Sequence, residues 1–161
     1  MNQVIYLAGN ISPDQRCTVW RDKMAILLAD IEGIVILDPT RNQFNIALSS
    51  FKGNGVEFLA EAHKQSQRLL RAKDYQMVQY SSLVVVHLGI VDPIRPLIGT
   101  IQELVWAHDI FYVPVIGITG GETNIYTNHP WVDECLSAKV ETEEEAAELV
   151  QNFFTYSQSP Y

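Results

Sequence analysis

The sequence predicts an α/β protein: one domain, residues 1–161, built on a doubly wound, five-stranded parallel sheet with helices on both faces. Three observations carry that expectation. Short apolar runs are continuous rather than alternating, as strands buried on both faces must be. Between them lie segments whose apolar residues recur at helical spacing, so strands and helices alternate along the chain. Finally, 161 residues with 47% hydrophobic and 19% charged content can bury one core without staples, and no linker, repeat or low-complexity tract divides them.

Val4–Ala8 is a buried strand ending at Gly9. Ser12-Pro13-Asp14-Gln15 predicts a helix start, with Ser12 as cap, Pro13 at the first helical position and Gln15 in capping-box position. Trp20, Met24, Leu27, Leu28 and Ile31 follow at helical spacing, and Gly33 stops that helix. Ile34–Leu37 is the second strand, left through the polar loop Asp38–Asn42. Gln43 to Gly55 reads as a surface-lying loop, and Val56 to Tyr80 as a long helix. Leu83–Leu88, a β-branched run, is the third strand. Gly89 to Ile98 holds Pro93 and Pro96, so it is stiff and unfit for a central strand. A helix from Thr100 to about Ile110 comes next, then a strand over Val113–Ile118 and a glycine-rich loop from Thr119 to Asn128. Lys139-Val140 is a short last strand. Thr142-Glu143-Glu144-Glu145 is a capping box opening a final helix to about Tyr156.

Composition excludes several classes. A net charge of −8 repels phosphate backbones, so no nucleic-acid partner is expected. No apolar stretch approaches the roughly 20 residues that span a bilayer, and no signal peptide is visible, so a soluble cytoplasmic protein without a membrane partner is expected. Cys17 and Cys135 read as buried free thiols. His63, His87 and His108 share no ligand spacing, so no metal is expected. Ala8-Gly9-Asn10 is not continued by Gly-x-x-Gly, and no Gly-Lys-Ser/Thr occurs, so no nucleotide cofactor is expected by those routes.

Open parallel sheets bind ligands at the carboxyl ends of their strands. That rule gathers Tyr6 to Asn10, Asp38 to Asn42, the Gly89–Thr100 loop and the segment from Thr119 to Trp131. Glu103 is the carboxylate of interest there. A helix opening at Thr100 puts it in the first turn, where free N–H groups and the macrodipole keep it ionised, as a nucleophile requires. Thr100 and Glu103 also have capping-box spacing, which makes Glu103 a helix cap instead. By residue type alone, Tyr6 is a core aromatic with a polar tip, and Asp74 an exposed helix carboxylate beside Arg71 and Lys73.

Taken together, Ile5-Tyr6-Leu7-Ala8-Gly9, Asp74, Gly99-Thr100-x-x-Glu103 and Asn128-His129-Pro130-Trp131 resemble the nucleoside 2-deoxyribosyltransferase family, as does the order of elements over most of the chain. The resemblance implies a flavodoxin-like fold and exchange of the base of a 2′-deoxynucleoside for a free nucleobase, with no cofactor. It implies Glu103 as nucleophile at C1′, Tyr6 as the hydroxyl orienting it, and Asp74 as the acid that protonates the departing base. It also implies that Asp92 holds sugar hydroxyls, in a loop that here is longer and carries Pro93, Arg95 and Pro96. Asn128 and His129 match a segment that reaches a neighbouring subunit's site, so a homo-oligomer with sites near subunit contacts is implied. The base pocket is expected from Gly9, Asn10, Trp20 and the Asp38–Asn42 loop, with Asn42 able to donate and accept at once; Gly99 and Thr100 border it. Trp20 is also a core residue at helical spacing. Arg95 can contact a 5′-phosphate bidentately, though a solvated loop residue is the expectation. The C-terminal Gln158–Tyr161 is aromatic and suits a subunit boundary. Two other readings stay open: an N-glycosidase hydrolysing deoxynucleosides or their 5′-monophosphates, and a nucleotide-binding module in which Glu103 is only a cap.

Overall fold

The computed structural model describes residues 2–42, 57 and 67–155. Its strands are β1 (Gln3–Gly9), β2 (Ile34–Leu37), β3 (Leu83–His87), β4 (Val115–Ile118) and β5 (Ala138–Val140). They form one parallel sheet in the order β2-β1-β3-β4-β5. This is the flavodoxin-like order, whose direction reverses between β1 and β3. The helices are α1 (Arg16–Leu27), α2 (Gln67–Gln79), α3 (Ile98–Val105), α4 (Pro130–Glu134) and α5 (Glu143–Phe154). A short 3-10 turn covers Pro39–Arg41, and α3 runs on into a π-helix over Trp106–Phe111.

The period of two along each strand sorts the core into two layers. Ile5, Leu7, Val85, Ile116 and Ile118 face α1 and α5, meeting Trp20, Met24, Ala146 and Val150. Tyr6, Ala8, Val84, Val86 and Val115 face the other way, against Val78, Leu104, Trp106 and Ala107 of α2, α3 and the π-helix. A single residue's shift would exchange the layers, which pins the register.

Several element starts differ from expectation. Ser12 does not cap α1; the helix begins at Arg16 without a side-chain cap on Gln15. The Ser12 hydroxyl is taken by the Asp14 N–H and the Cys17 thiol, and the Asp14 carboxylate accepts from the Arg16 N–H instead. That helix stops at Leu27, and Gly33, at φ +79°, turns the chain into β2. Likewise α3 opens at Ile98, with no side-chain cap, rather than at Thr100. The Thr142–Glu145 capping box is formed in both directions. Of the expected Val56–Tyr80 helix, the described part runs Gln67–Gln79. The Gln43–Gly55 loop and Gln158–Tyr161 lie outside the described residues. Cys17 and Cys135 are buried free thiols, and among the described residues no helix is long and apolar enough to cross a membrane.

Candidate active site

The site forms where the sheet order reverses. Tyr6, in the middle of β1, lies between Leu37 of β2 and Val84 of β3 and is completely buried. Its hydroxyl donates a 2.6 Å hydrogen bond to Oε1 of Glu103. Because α3 starts two residues earlier than expected, Glu103 lies in its second turn, beyond the free N–H groups of the first. The tyrosine hydroxyl, not the helix terminus, is therefore the donor that meets this carboxylate, and the capping-box role is excluded.

Glu103 opens onto a cavity of about 210 Å³ whose walls include Gly9, Asn10, Asp74, Arg95, Gly99 and Thr100, with Pro39 on the β2 side. Asp74 reaches it from α2, and its Oδ1 is buried without a hydrogen-bond partner among the described residues. Burial pushes the Asp74 carboxyl up to about 7. Burial, reinforced by the Asp74 charge and opposed by the Tyr6 hydrogen bond and the Arg21 charge, pushes Glu103 up to about 8. The site therefore does not keep Glu103 fully ionised at neutral pH, as its expected first-turn position implied. Two buried carboxyls instead titrate as a coupled pair, both raised by burial.

Of the other residues singled out in the sequence, Asn10 is 6% exposed, with a buried Nδ2 lacking a partner among the described residues. Gly9 has φ +154°, and a Cβ there would come within 3.3 Å of Trp20 and 3.4 Å of Arg21, so only glycine suits the turn out of β1. Arg95, expected in solvent, is 5% exposed and lines the cavity. Asp92 does not line it; its carboxylate accepts from the Ile94 N–H and shapes the turn that carries Arg95. Asn42 is buried behind Pro39, whose carbonyl takes its N–H. Trp20, expected in a base pocket, does not line this cavity either: it lies on the opposite face of the sheet, against His87 and Arg21. Asn128 and His129 are exposed and do not line this cavity; His129 Nδ1 caps α4 by accepting from the Trp131 N–H.

One residue escaped the sequence reading. Arg21 is 1% exposed, and its guanidinium donates to the carbonyls of Leu7, Gly9, Asn10 and Cys17. The signal was available: Cys17, Arg21, Met24 and Leu28 fall at i, i+4, i+7 and i+11, the inward stripe of α1.

The fold and site together define a flavodoxin-like parallel α/β protein with a tyrosine-held glutamate and a second buried carboxyl at its switch point. The fold is similar to that of a 2-deoxyribosyltransferase from the psychrotolerant bacterium Bacillus psychrosaccharolyticus, at TM-score 0.59 and 19% identity over 89% of this chain and 90% of that one. A conserved protein from Enterococcus faecalis V583 is similar at TM-score 0.61 and 14% identity over 96% and 100%. A 3-dehydroquinate dehydratase-like protein from Bifidobacterium longum is similar at TM-score 0.50 and 9% identity over 97% and 100%. No family model and no curated protein sequence matches the chain.

Proposed function

We propose that the protein is a nucleoside 2-deoxyribosyltransferase. The observation that carries this reading is the 2.6 Å Tyr6–Glu103 hydrogen bond in a cavity that Asp74 shares; the Bacillus neighbour's fold is consistent with it. In the first step the Glu103 carboxylate attacks C1′ of a 2′-deoxynucleoside. The C1′–N bond breaks, its electrons leave with the base, and the Asp74 carboxyl proton goes to the base nitrogen. In the second step a nitrogen of an incoming base attacks C1′ of the deoxyribosyl-Glu103 ester. Asp74 takes up the proton that nitrogen sheds, and Glu103 leaves as carboxylate. Two displacements give net retention. The chemistry needs Glu103 ionised and Asp74 protonated; with Glu103 raised to about 8 and Asp74 to about 7, that arrangement is the minor singly protonated form, which the reaction draws on. The Tyr6 hydroxyl favours the negative charge on Glu103.

In this reading Gly9, Asn10, Gly99 and Thr100 frame the sugar and base, and Asp92 acts through the turn holding Arg95. Asn128 and His129 serve the cavity of a second subunit. The 73% exposed Ile98, 68% exposed Ile125 and 81% exposed Trp131 nearby support such a contact. Light scattering tests it: a fully active monomer refutes the oligomer.

Arg95 gives specific support to a second reading, hydrolysis of a deoxynucleoside 5′-monophosphate, because a buried guanidinium suits a phosphate. One chromatographic assay separates the two. With 2′-deoxyinosine or thymidine as donor, 2′-deoxyadenosine forming only when adenine is added supports transfer. Deoxyribose released without acceptor, or cleavage of a 5′-monophosphate alone, supports hydrolysis. Exchange surviving in Glu103→Ala removes the nucleophile assignment.

A further inference from the structure

At the carboxyl end of β1 the chain leaves the sheet, and carbonyls there lose their ladder partners. Buried carbonyls need donors. Arg21 supplies them from α1, on the face opposite α3. Nη2 donates to Gly9 O at 3.1 Å, Nη1 to Asn10 O at 3.2 Å, and Nε to Leu7 O at 3.4 Å, while Nη1 also donates to Cys17 O. The guanidinium lies 4.7 Å over the Trp20 ring. Asp38 approaches Nε at 3.5 Å and itself accepts from the N–H and hydroxyl of Thr40, next to Pro39. One side chain thus holds Gly9–Asn10 directly and reaches the Pro39 segment through Asp38; both segments line the Glu103 cavity.

A fork of five donors in a plane can span four carbonyls; an ammonium radiates from one point and cannot. Burying such a charge is costly, and one carboxylate at 3.5 Å only partly neutralises it. A positive charge therefore remains inside the sheet edge. Its field reaches the other side, favouring the ionised forms of both Tyr6 and Glu103.

We infer that Arg21 is a positioning residue of this site, holding the Gly9–Asn10 wall in place and setting a buried positive charge behind the Tyr6–Glu103 pair. The inference rests on the transferase reading for its kinetic consequence, but its electrostatic consequence is measurable without turnover.

The test uses Arg21→Lys and Arg21→Met, with the Glu103 carboxyl titrated by carbon-13 NMR and base exchange followed across pH. Arg21→Lys keeps the charge and loses the fork. KM should rise about tenfold, the effect of one hydrogen bond to a charged group, with the Glu103 midpoint in place. Arg21→Met removes the charge. The Glu103 midpoint and the acid limb of kcat/KM should both move up. A merely structural arginine would lower activity and leave both midpoints where they are. An unchanged KM in Arg21→Lys overturns the wall role, and an unmoved midpoint in a folded Arg21→Met overturns the charge role. Should Arg21→Met fail to fold, Asp38→Asn decides: stripping Arg21 of its counter-charge must move the Glu103 midpoint down, and a fixed midpoint refutes the proposal. If the unaltered protein exchanges no base, the transferase reading fails, while the NMR midpoints still decide the role of Arg21.

Discussion

Replacing Glu103 with Gln should stabilise the protein at alkaline pH far more than at acid pH. The carboxyl is pushed from its ordinary 4.5 up to about 8 in the folded protein, mainly by burial. Between those values the native state holds a proton that the unfolded chain has released, so its contribution to stability falls as pH rises. Below 4.5 the penalty is absent, and above 8 it is complete. From pH 5 to pH 9 the carboxyl loses about three pH units' worth of stability, roughly 4 kcal/mol at ~1.36 kcal/mol per unit. Glutamine keeps the shape, still accepts from the Tyr6 hydroxyl and carries no charge, so it escapes that loss. The advantage of Glu103→Gln over the unaltered protein should therefore grow by about 3–4 kcal/mol across this range. In a domain of this size that is about 6–16 °C in Tm. Urea melts of both proteins at pH 5, 7 and 9 measure it directly. Parallel stability–pH curves would mean that Glu103 titrates as an ordinary exposed carboxylate, and the coupled-pair argument would fall with it.

Other expectations follow from the same geometry. Base exchange should peak between about pH 7 and 8, losing the nucleophile on the acid side and the protonated Asp74 on the alkaline side, and a kcat/KM profile flat from pH 5 to 9 would contradict this. Tyr6→Phe removes the 2.6 Å donor to Glu103; exchange should drop about 10- to 100-fold, the worth of a charged hydrogen bond, and the Glu103 midpoint, read by NMR, should climb further. Gly9→Ala, at φ +154° and against Trp20 and Arg21, should lower the urea midpoint and raise KM together. Thr142→Ala opens the α5 capping box and should destabilise by about 1 kcal/mol in the same melts, while leaving exchange rates intact.

The strands were legible because the sheet is parallel and covered on both faces, which writes each one as an uninterrupted apolar run. Two helix starts were not, although the Thr142 capping box was. Ser12 and Thr100 have the right spacing for caps, but the Ser12 hydroxyl is drawn to Asp14 and Cys17, and α3 begins before Thr100. Local cap rules lose wherever another partner competes for the hydroxyl. Glu103 and Asp74 were legible as candidates by resemblance. Their upward shifts were not, because these depend on burial that only the packed sheet creates. The burial of Arg95 depends likewise on how its loop folds over the cavity. Arg21 lay on the inward stripe of α1, hidden by the habit of reading every helix arginine as a surface residue.

The π-helix after α3 bears on how this chain tolerates changes of length. Upstream, α3 is anchored by Glu103 at the cavity; downstream, Trp106 and Phe111 are clasped edge-on by Tyr75 at 5.2 and 4.9 Å, and Tyr112 turns at φ 55° toward β4. A π-turn accommodates one residue more than the α-helical path between the same two anchors. A residue gained or lost here is absorbed as a change of helical winding, leaving the glutamate and the next strand in place. The stretch from Ala107 to Ile110 is thus where a single-residue change of length should disturb the position of Glu103 least.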